Sequence, residues 1–252
     1  MVQQALTAAT LGVKQHLRNA LFVVLLVLLP PAFITLSFLV TPEVPFAVTV
    51  PEGGQTITER LNMARLHGAI MVPITVTLLS GLLGLFVMLS SREADRRLVA
   101  AGYPGPLLLA VRLAMVAGMS VLITLISVGV SLIDFRPEKP GLFLLANLIA
   151  ALHYGFIGAI IGTFLSALGG TYLVFFIPMI DLGVVNDPMF TGGNVSGWAT
   201  LLPGYTPMKV LLDVSFTGGF DTGRELAVAL VYLVVLAALA TFAFWRATRA
   251  RG

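Results

Sequence analysis

The sequence predicts an all-α polytopic membrane protein with six transmembrane helices. Five long apolar stretches contain no Asp, Glu, Lys or Arg, and they are 24, 26, 21, 41 and 20 residues long. A helix of about 20 apolar residues crosses the ~30 Å hydrocarbon core of a bilayer. Four stretches therefore predict one crossing each, and the longest predicts two. The stretches occupy residues 19–42, 66–91, 113–133, 140–180 and 226–245.

The composition excludes an ordinary soluble domain. Hydrophobic residues make up 58% of the chain and charged residues 11%, whereas about a quarter of residues are charged in soluble domains. The net charge of +3 does not indicate a nucleic-acid partner, because the charges lie at predicted helix ends and not along one basic face. The absence of cysteine excludes disulfides and thiol catalysis.

The first 40 residues predict an interfacial helix followed by the first span. Residues 1–19 are weakly amphipathic, with Lys14 and Arg18 on the polar side, and such a segment lies in the interface plane. A solvated tail is the alternative. The first span covers 20–40 and is read as a retained signal anchor, because its apolar run exceeds the core of a cleaved signal peptide. Pro30 and Pro31 remove backbone donors at its middle and are expected to kink it.

The rest of the chain predicts five further spans, so that residues 1–252 form a single transmembrane domain. The paired glycines Gly169 and Gly170 favour a turn, which divides the longest stretch at 167–170. The predicted elements are a polar loop at 41–65, span two at 66–90, a loop at 91–104, span three at 107–133, a tight turn at 134–140, span four at 141–167, span five at 171–185, an irregular segment at 186–224 and span six at 225–245.

Charge asymmetry predicts the orientation. Six crossings place both termini on one side, together with the loop between spans two and three. That side carries nine basic and two acidic residues, whereas the opposite loops carry six basic and ten acidic residues. Because basic residues are retained on the cytoplasmic side, both termini are expected to be cytoplasmic.

The loop at 91–104 carries charges at helical spacing. Arg92, Glu93, Arg96 and Arg97 can lie on one or two turns of a short helix, since residues three and four apart are neighbours. On the cytoplasmic side, such a helix is a candidate for docking into a groove on a cytosolic partner. The alternative is a solvated loop whose arginines fix the topology and contact lipid phosphates.

The segment at 186–224 is apolar, yet Gly and Pro interrupt any long helix. Because it follows a short span, it predicts short helices that re-enter the outer leaflet. The alternative is a structured extracellular loop. Pro203 and Pro207 are expected to set the turn between two short helices. The candidate outer gate is Trp198, Leu202, Pro203 and Pro207, and the side chains expected to be shielded from water are Trp198, Leu201, Leu202, Val210 and Leu211.

A few polar residues lie in or beside the predicted spans. His153 follows Asn147 by about two turns and lies beside Tyr154, and it is expected to make a helix-packing hydrogen bond, although polar groups in membranes are functional candidates by default. Asp181 and Asp187 either guard an outer opening or are wetted charges at a helix end, and the second role is expected.

Small residues in span four predict close packing of helices. Gly155, Gly158 and Gly162 form a stripe that lets another helix backbone approach. We expect this contact within the subunit and not between subunits. No pattern indicates catalysis or a metal site: the segment 194–197 lacks the first glycine of a Gly-x-Ser-Gly nucleophile motif, and the three histidines are scattered.

In this layout the chain resembles the ABC-2 type permeases, the membrane subunits of a family of bacterial ABC exporters. The resemblance covers the whole chain, from the interfacial helix and six spans to the Leu-Leu-Pro-Gly-Tyr-Thr-Pro run at 201–207. Family members often read Glu-Arg-Glu-x-Gly-Thr-Leu in the cytoplasmic loop and carry a Leu-Pro-x-x-x-x-Pro-like element before span six. Leu202, Pro203 and Pro207 match the second motif. Arg92 and Glu93 match the first, but Asp95 and Arg96 replace its Gly-Thr, so the docking contacts differ.

The resemblance implies an ABC-2 (type V exporter-like) transmembrane domain in the bacterial plasma membrane. It implies two cytosolic ABC ATPase subunits, a second permease in a homodimer or heterodimer, contact with membrane lipid, and a path lined by spans one, two and five. An apolar, adaptable path favours a hydrophobic drug, antibiotic or lipid-linked substrate. The path candidates are Phe22, Phe33, Phe38, Phe175, Phe176, Met179 and Met189.

No Gly-x-x-x-x-Gly-Lys-Ser/Thr phosphate loop occurs in the sequence. ATP and Mg²⁺ are therefore expected on the partner subunit, with no cofactor bound by this chain and no enzymatic activity of its own. The first alternative is a non-enzymatic membrane assembly or immunity protein, and a membrane-embedded enzyme comes third.

Overall fold

The computed structural model describes residues 24, 27–53 and 55–249, and it is mostly helical. Five helices are long and apolar enough to cross a membrane, and a shorter apolar helix precedes them. The chain is therefore built as a multi-pass membrane protein. The interfacial helix predicted at 1–19, with Lys14 and Arg18, lies outside the described residues, as do Phe22 and most of the first half of span one.

Eight helices and one hairpin make up the described chain. The helices are α1 (Val27–Val40), α2 (Met63–Ala100), α3 (Gly105–Asp134), α4 (Pro140–Phe164), α5 (Ala167–Ile180), α6 (Pro188–Thr191), α7 (Tyr205–Phe216) and α8 (Gly223–Arg249), and the strands are β1 (Pro45–Glu52) and β2 (Gln55–Asn62). A π-helical turn at Pro31–Thr35 lies within α1, at the two prolines that were expected to kink the helix. A second π turn, Asp181–Val185, follows α5, and a 3-10 turn, Gly197–Leu201, precedes α7.

The prediction of a polar loop at 41–65 is wrong, because this segment forms a β-hairpin. The protein is therefore mostly helical and not all-α. β1 and β2 pair antiparallel, with Val48 opposite Glu59 and Val50 opposite Ile57. Val48 and Val50 are fully buried, and the residues between and beside them are more exposed. This alternation buries one face of the hairpin, as the period of two in a strand requires. The charges spread over 43–65 favoured a loop prediction although the alternation is present on β1.

Helices α2 and α4 form the centre of the bundle through glycine contacts. A methyl group at Gly84 would overlap the carbonyl oxygen of Gly155, and one at Gly158 would overlap that of Gly81. Glycine at these positions lets the two backbones touch, as small residues do at membrane helix interfaces. The expected packing of the span-four stripe within the subunit is confirmed.

Two elements differ from the predicted layout. The segment predicted as a loop at 91–104 is mostly helical, because no Gly or Pro occurs at 91–101 and α2 continues to Ala100. The break after α4 lies at 165–166 and not at 167–170. Ser166 caps α5 there, since its Oγ accepts a hydrogen bond from the Gly169 N–H at 3.4 Å. Gly170 lies inside α5, where a side chain would overlap Leu85.

The three loops predicted on the outer side meet at one end of the bundle, which we call the outer end. The Thr49 N–H of the hairpin donates to the Gly192 carbonyl at 2.9 Å. Lys139, which follows α3, donates from Nζ to the Thr217 carbonyl at 2.8 Å. The charged end of α2 lies at the other end, which we call the inner end.

Candidate functional sites at the two ends of the bundle

At the inner end, Arg92 joins α2 to the last turn of α4. Its guanidinium donates to the carbonyl of Leu165 at 2.7 Å and also to that of Gly162. The last carbonyls of a helix have no partner within the helix, and a cation is favoured there by the helix dipole. Arg92 therefore caps α4, and its role in the described structure is internal.

An ion pair joins α2 to α3. Arg112 donates from Nη2 to Asp95 Oδ1 at 2.9 Å and from Nε to Oδ2 at 3.3 Å. The Asp95 side chain is nearly fully buried, and Arg112 is mostly covered. The two-point contact of a guanidinium with a carboxylate fixes direction as well as distance. The sequence pattern did not pair these two residues, because 17 positions separate them along the chain and a loop lies between their helices.

Glu93 and Arg97 are the exposed charges among the four candidate docking residues. Arg97 donates to Glu93 at 3.1 Å, four residues earlier on α2, and their side chains are 79% and 69% exposed. The Arg96 side chain, also on α2, is half-buried. Of the four candidate docking residues, one is thus used inside the subunit, one is partly covered, and two form an exposed pair.

At the outer end, Asp181 is buried, so its expected role as a wetted charge is wrong. Its Oδ2 accepts from the Gly204 N–H at 3.0 Å and from the Tyr154 hydroxyl, and its Oδ1 accepts from Asn186 Nδ2 at 2.6 Å. Three donors satisfy the carboxylate, as a buried charge requires. Asp187 is buried too and caps α6 by accepting from the Met189 N–H at 2.7 Å.

The π-helical turn explains how Asp181 reaches this position. Pro178 lacks a backbone donor, and the helix widens three residues later at Asp181–Val185. π turns are frequent at functional sites. The sequence signal was an aspartate directly after an apolar span with an internal proline.

His153 bridges two neighbouring segments from inside α4. Its Nδ1 lies 3.1 Å from the Pro203 carbonyl oxygen, and its Nε2 lies 2.8 Å from that of Ala229 on α8. Because a neutral imidazole carries one N–H, it donates to one carbonyl at a time, and only the imidazolium donates to both. The expected packing hydrogen bond of His153 is confirmed.

A third side chain completes the arrangement, since the Tyr232 hydroxyl donates to the Leu201 carbonyl at 2.6 Å. Tyr232, His153 and Asp181 therefore contact main-chain atoms of residues 201, 203 and 204. They come from α8, α4 and the π turn. We call these three side chains with the backbone of 201–204 the outer clamp. It fixes the segment that the sequence singled out as a gate.

The predicted gate residues occupy different surroundings. Pro203 lies between the 3-10 turn and α7, as expected, but Pro207 lies inside the first turn of α7, where a backbone donor is not needed. Val210 and Leu211 are buried, and Leu202 is half-buried. Trp198 and Leu201 are 63% and 72% exposed, so the protein itself does not cover them.

The path candidates do not converge within the subunit. Phe38 packs on Phe135 with ring centroids 6.4 Å apart, whereas Phe175 and Phe176 contact each other on an exposed face of α5. No aromatic ring contact joins these two groups among the described residues. Phe33, Met179 and Met189 are half-buried.

No protein-family model matches this chain, and comparison with the curated proteins finds no match either.

Proposed function

We propose that this chain is the membrane-spanning permease subunit of an ATP-driven bacterial exporter of the ABC-2 type. In this proposal the first span, predicted from the sequence at 20–40, makes the sixth crossing. Both termini are cytoplasmic, the inner end meets two cytosolic ATPases, and a second permease completes the transport path.

The single observation that carries the proposal is the form of α2. Its 38 residues span about 57 Å at ~1.5 Å per residue, well beyond the ~30 Å hydrocarbon core. The part that projects at the inner end is held to α4 by Arg92 and to α3 by Arg112. A force applied to Glu93 and Arg97 is therefore transmitted to the centre of the bundle.

Burial of the helices supports a path between two subunits. The most apolar window of α2 is 83% buried, whereas the windows of Ala167–Thr191 and α8 are 28% and 22% buried. One subunit thus surrounds α2 but leaves α5 largely open. We propose that the aromatic face of α5, with Phe175 and Phe176, faces the second permease and a hydrophobic substrate.

The orientation is tested by cysteine labelling in intact cells, which suits a chain without native cysteine. Ala94→Cys at the exposed inner end is expected to resist a membrane-impermeant maleimide, and Gln55→Cys on the hairpin is expected to react. Both side chains are exposed, so the difference reports sidedness and not burial. Labelling of Ala94→Cys from outside would reverse the proposed orientation.

Coupling is tested with the exposed pair. Glu93→Ala with Arg97→Ala is expected to reduce the amount of ATPase that co-purifies, because charge-assisted contacts are worth about 1.5–3 kcal/mol each, while membrane insertion is unchanged. Arg136→Ala, an exposed charge at the outer end, is the control.

A charge swap sharpens the coupling test. Exchanging the two residues, by Glu93→Arg with Arg97→Glu, keeps the ion pair within α2 but exchanges the positions of the positive and negative charges that a partner would meet. Docking predicts that the swap fails to restore ATPase binding, whereas a topological role predicts normal binding in both double variants. If no nucleotide-binding protein co-purifies even with the wild-type chain from its native host, the exporter proposal is withdrawn in favour of an assembly or immunity protein.

A further inference from the structure

An open cavity of about 370 Å³ lies at the outer end, between the hairpin and the segment that leads into α7. Hydroxyls, a side-chain amide, an aromatic ring and one ammonium group face it, and no carboxylate lines it. The residues that supply these groups are Thr49, Thr56, Asn194, Ser196, Tyr205 and Lys209.

Lys209 gives the cavity its charge. It is half-buried on α7, and its Nζ lies 5.5 Å from the centroid of the Tyr205 ring. No carboxylate lies within ion-pairing distance of Lys209 in the part of the chain that the structure describes. The neighbouring Val210 and Leu211 are buried, so the helix that carries Lys209 is held in place. An ammonium group without a carboxylate partner among the described residues, carried by a well-packed helix, thus faces an open polar cavity.

The walls of the cavity are joined to each other. The Thr49 N–H donates to the Gly192 carbonyl at 2.9 Å, and Asn194 Nδ2 donates to Thr49 Oγ1 at 3.3 Å. Gly193 has φ of 82° and lies so close to the Thr49 backbone that a side chain would overlap it. The hairpin and the 192–196 segment therefore form one preformed wall, as ligand sites usually do.

We infer that this cavity binds the phosphate of a small polar head group. Lys209 supplies the positive charge, the threonine and serine hydroxyls can donate to phosphate oxygens, and the Tyr205 ring offers a flat face to the body of the ligand. Lysine is a common phosphate-binding group in proteins. The proposal is independent of the exporter proposal, because it requires neither an ATPase nor transport.

Two sources present this chemistry, namely a phospholipid at the outer surface and a soluble phosphate ester. The exposed Trp198 and Leu201 follow Ser196 directly along the 3-10 turn. Tryptophan is enriched where a membrane meets water, which places a lipid head group within reach of the same cavity.

The full-length protein in dodecyl maltoside is titrated with glycerol 3-phosphate and, separately, with dihexanoyl-phosphatidylglycerol, and glycerol is the uncharged control. Binding is followed through Trp198 fluorescence in a Trp245→Phe background. Lys209→Gln is expected to weaken saturable binding at least tenfold, Lys209→Arg to retain it, and Arg224→Gln, which removes an exposed outer-end cation, to leave it unchanged. Binding of glycerol 3-phosphate identifies a soluble ester as the source, and binding of the lipid alone identifies the membrane.

Ser196→Asp provides a second test that does not alter α7. The exposed serine precedes the 3-10 turn at its N-cap position, where aspartate is equally suitable. A carboxylate on the wall of the same cavity would repel a phosphate and offset the positive charge of Lys209, so binding is expected to fall at least tenfold. The proposal is overturned if neither phosphate probe binds saturably, if glycerol binds as well as they do, or if Lys209→Gln or Ser196→Asp binds like the wild type.

Discussion

The two ends of the bundle hold their helices together with different chemistry. At the inner end, long charged side chains reach across helix ends, as Arg92 does to α4 and Arg112 does to Asp95. At the outer end, the buried side chains of Asp181 and His153 and the half-buried side chain of Tyr232 hold main-chain atoms of one short segment. The inner end leaves a charged pair exposed, whereas the outer clamp uses its polar groups internally.

This difference predicts how substitutions at each end affect the stability of the fold. An exposed ion pair contributes little to stability, typically about 0–1 kcal/mol, so Glu93 and Arg97 are available for a partner. A buried donor left without its acceptor costs about 1–3 kcal/mol. The outer clamp is thus part of the fold itself, and a change there is expected to alter stability before it alters any contact with another molecule.

The largest expected effect is that of Asp181→Ala. It leaves the Tyr154 hydroxyl, the Asn186 amide and the Gly204 N–H without their acceptor in a buried place. We expect a loss of about 3 kcal/mol in the free energy of unfolding, measured by denaturant titration in detergent micelles.

The matched control is Asp221→Ala at the same end. Asp221 is exposed and accepts from the Gly53 N–H at 2.8 Å. Its loss is expected to cost under about 0.5 kcal/mol, as for most surface substitutions. Equal effects of the two variants would show that burial of Asp181 does not distinguish the outer clamp from the surface.

The sequence predicted the local contact of Glu93 with Arg97 but not the tertiary contacts at either end, and the reason is physical. Charges near 92–97 follow one another on a single helix, so helical spacing brings them together without tertiary information. The outer clamp joins residues about 23 to 50 positions apart, such as Gly204 with Asp181 and His153 with Pro203. Only the folded bundle brings them together, and Asp181 therefore looked like a solvated helix end.

The spans and the hairpin also show which elements a local sequence pattern predicts and which it does not. Long apolar stretches predicted five of the spans because the bilayer thickness sets their length. The hairpin was missed, because the charges at 43–65 indicated a polar loop although Val48 and Val50 alternate with more exposed residues on β1. The segment at 91–100 was predicted as a loop but is helical, because the first charge after an apolar run marks the limit of the hydrocarbon and not the end of the helix.

The next effect concerns the inner-end pair of Asp95 and Arg112. Arg112→Ala leaves a buried carboxylate unpaired, and we expect a loss of about 2 kcal/mol in the free energy of unfolding. A double-mutant cycle with Asp95→Ala is expected to give a coupling energy of about 1–2 kcal/mol.

The same cycle on Glu93 and Arg97 is the control, because this pair lies on the same helix and is exposed. Its coupling is expected to stay near about 0.3–0.5 kcal/mol and to fall with added salt. Similar coupling energies for both pairs would remove the distinction between charges used within the subunit and charges left for a partner.

The smallest expected effect is that of Tyr232→Phe, which tests the rim of the outer clamp. The Tyr232 hydroxyl donates to the Leu201 carbonyl at 2.6 Å, and this contact is exposed. Hydrogen bonds between membrane helices contribute about 0.6 kcal/mol on average, and an exposed carbonyl finds another partner when the hydroxyl is removed. We therefore expect a loss near that value, much less than for Asp181→Ala, together with faster amide hydrogen exchange at residues 201–204. A loss as large as that of Asp181→Ala would show that the clamp acts as one cooperative unit and not as a buried centre with an exposed rim.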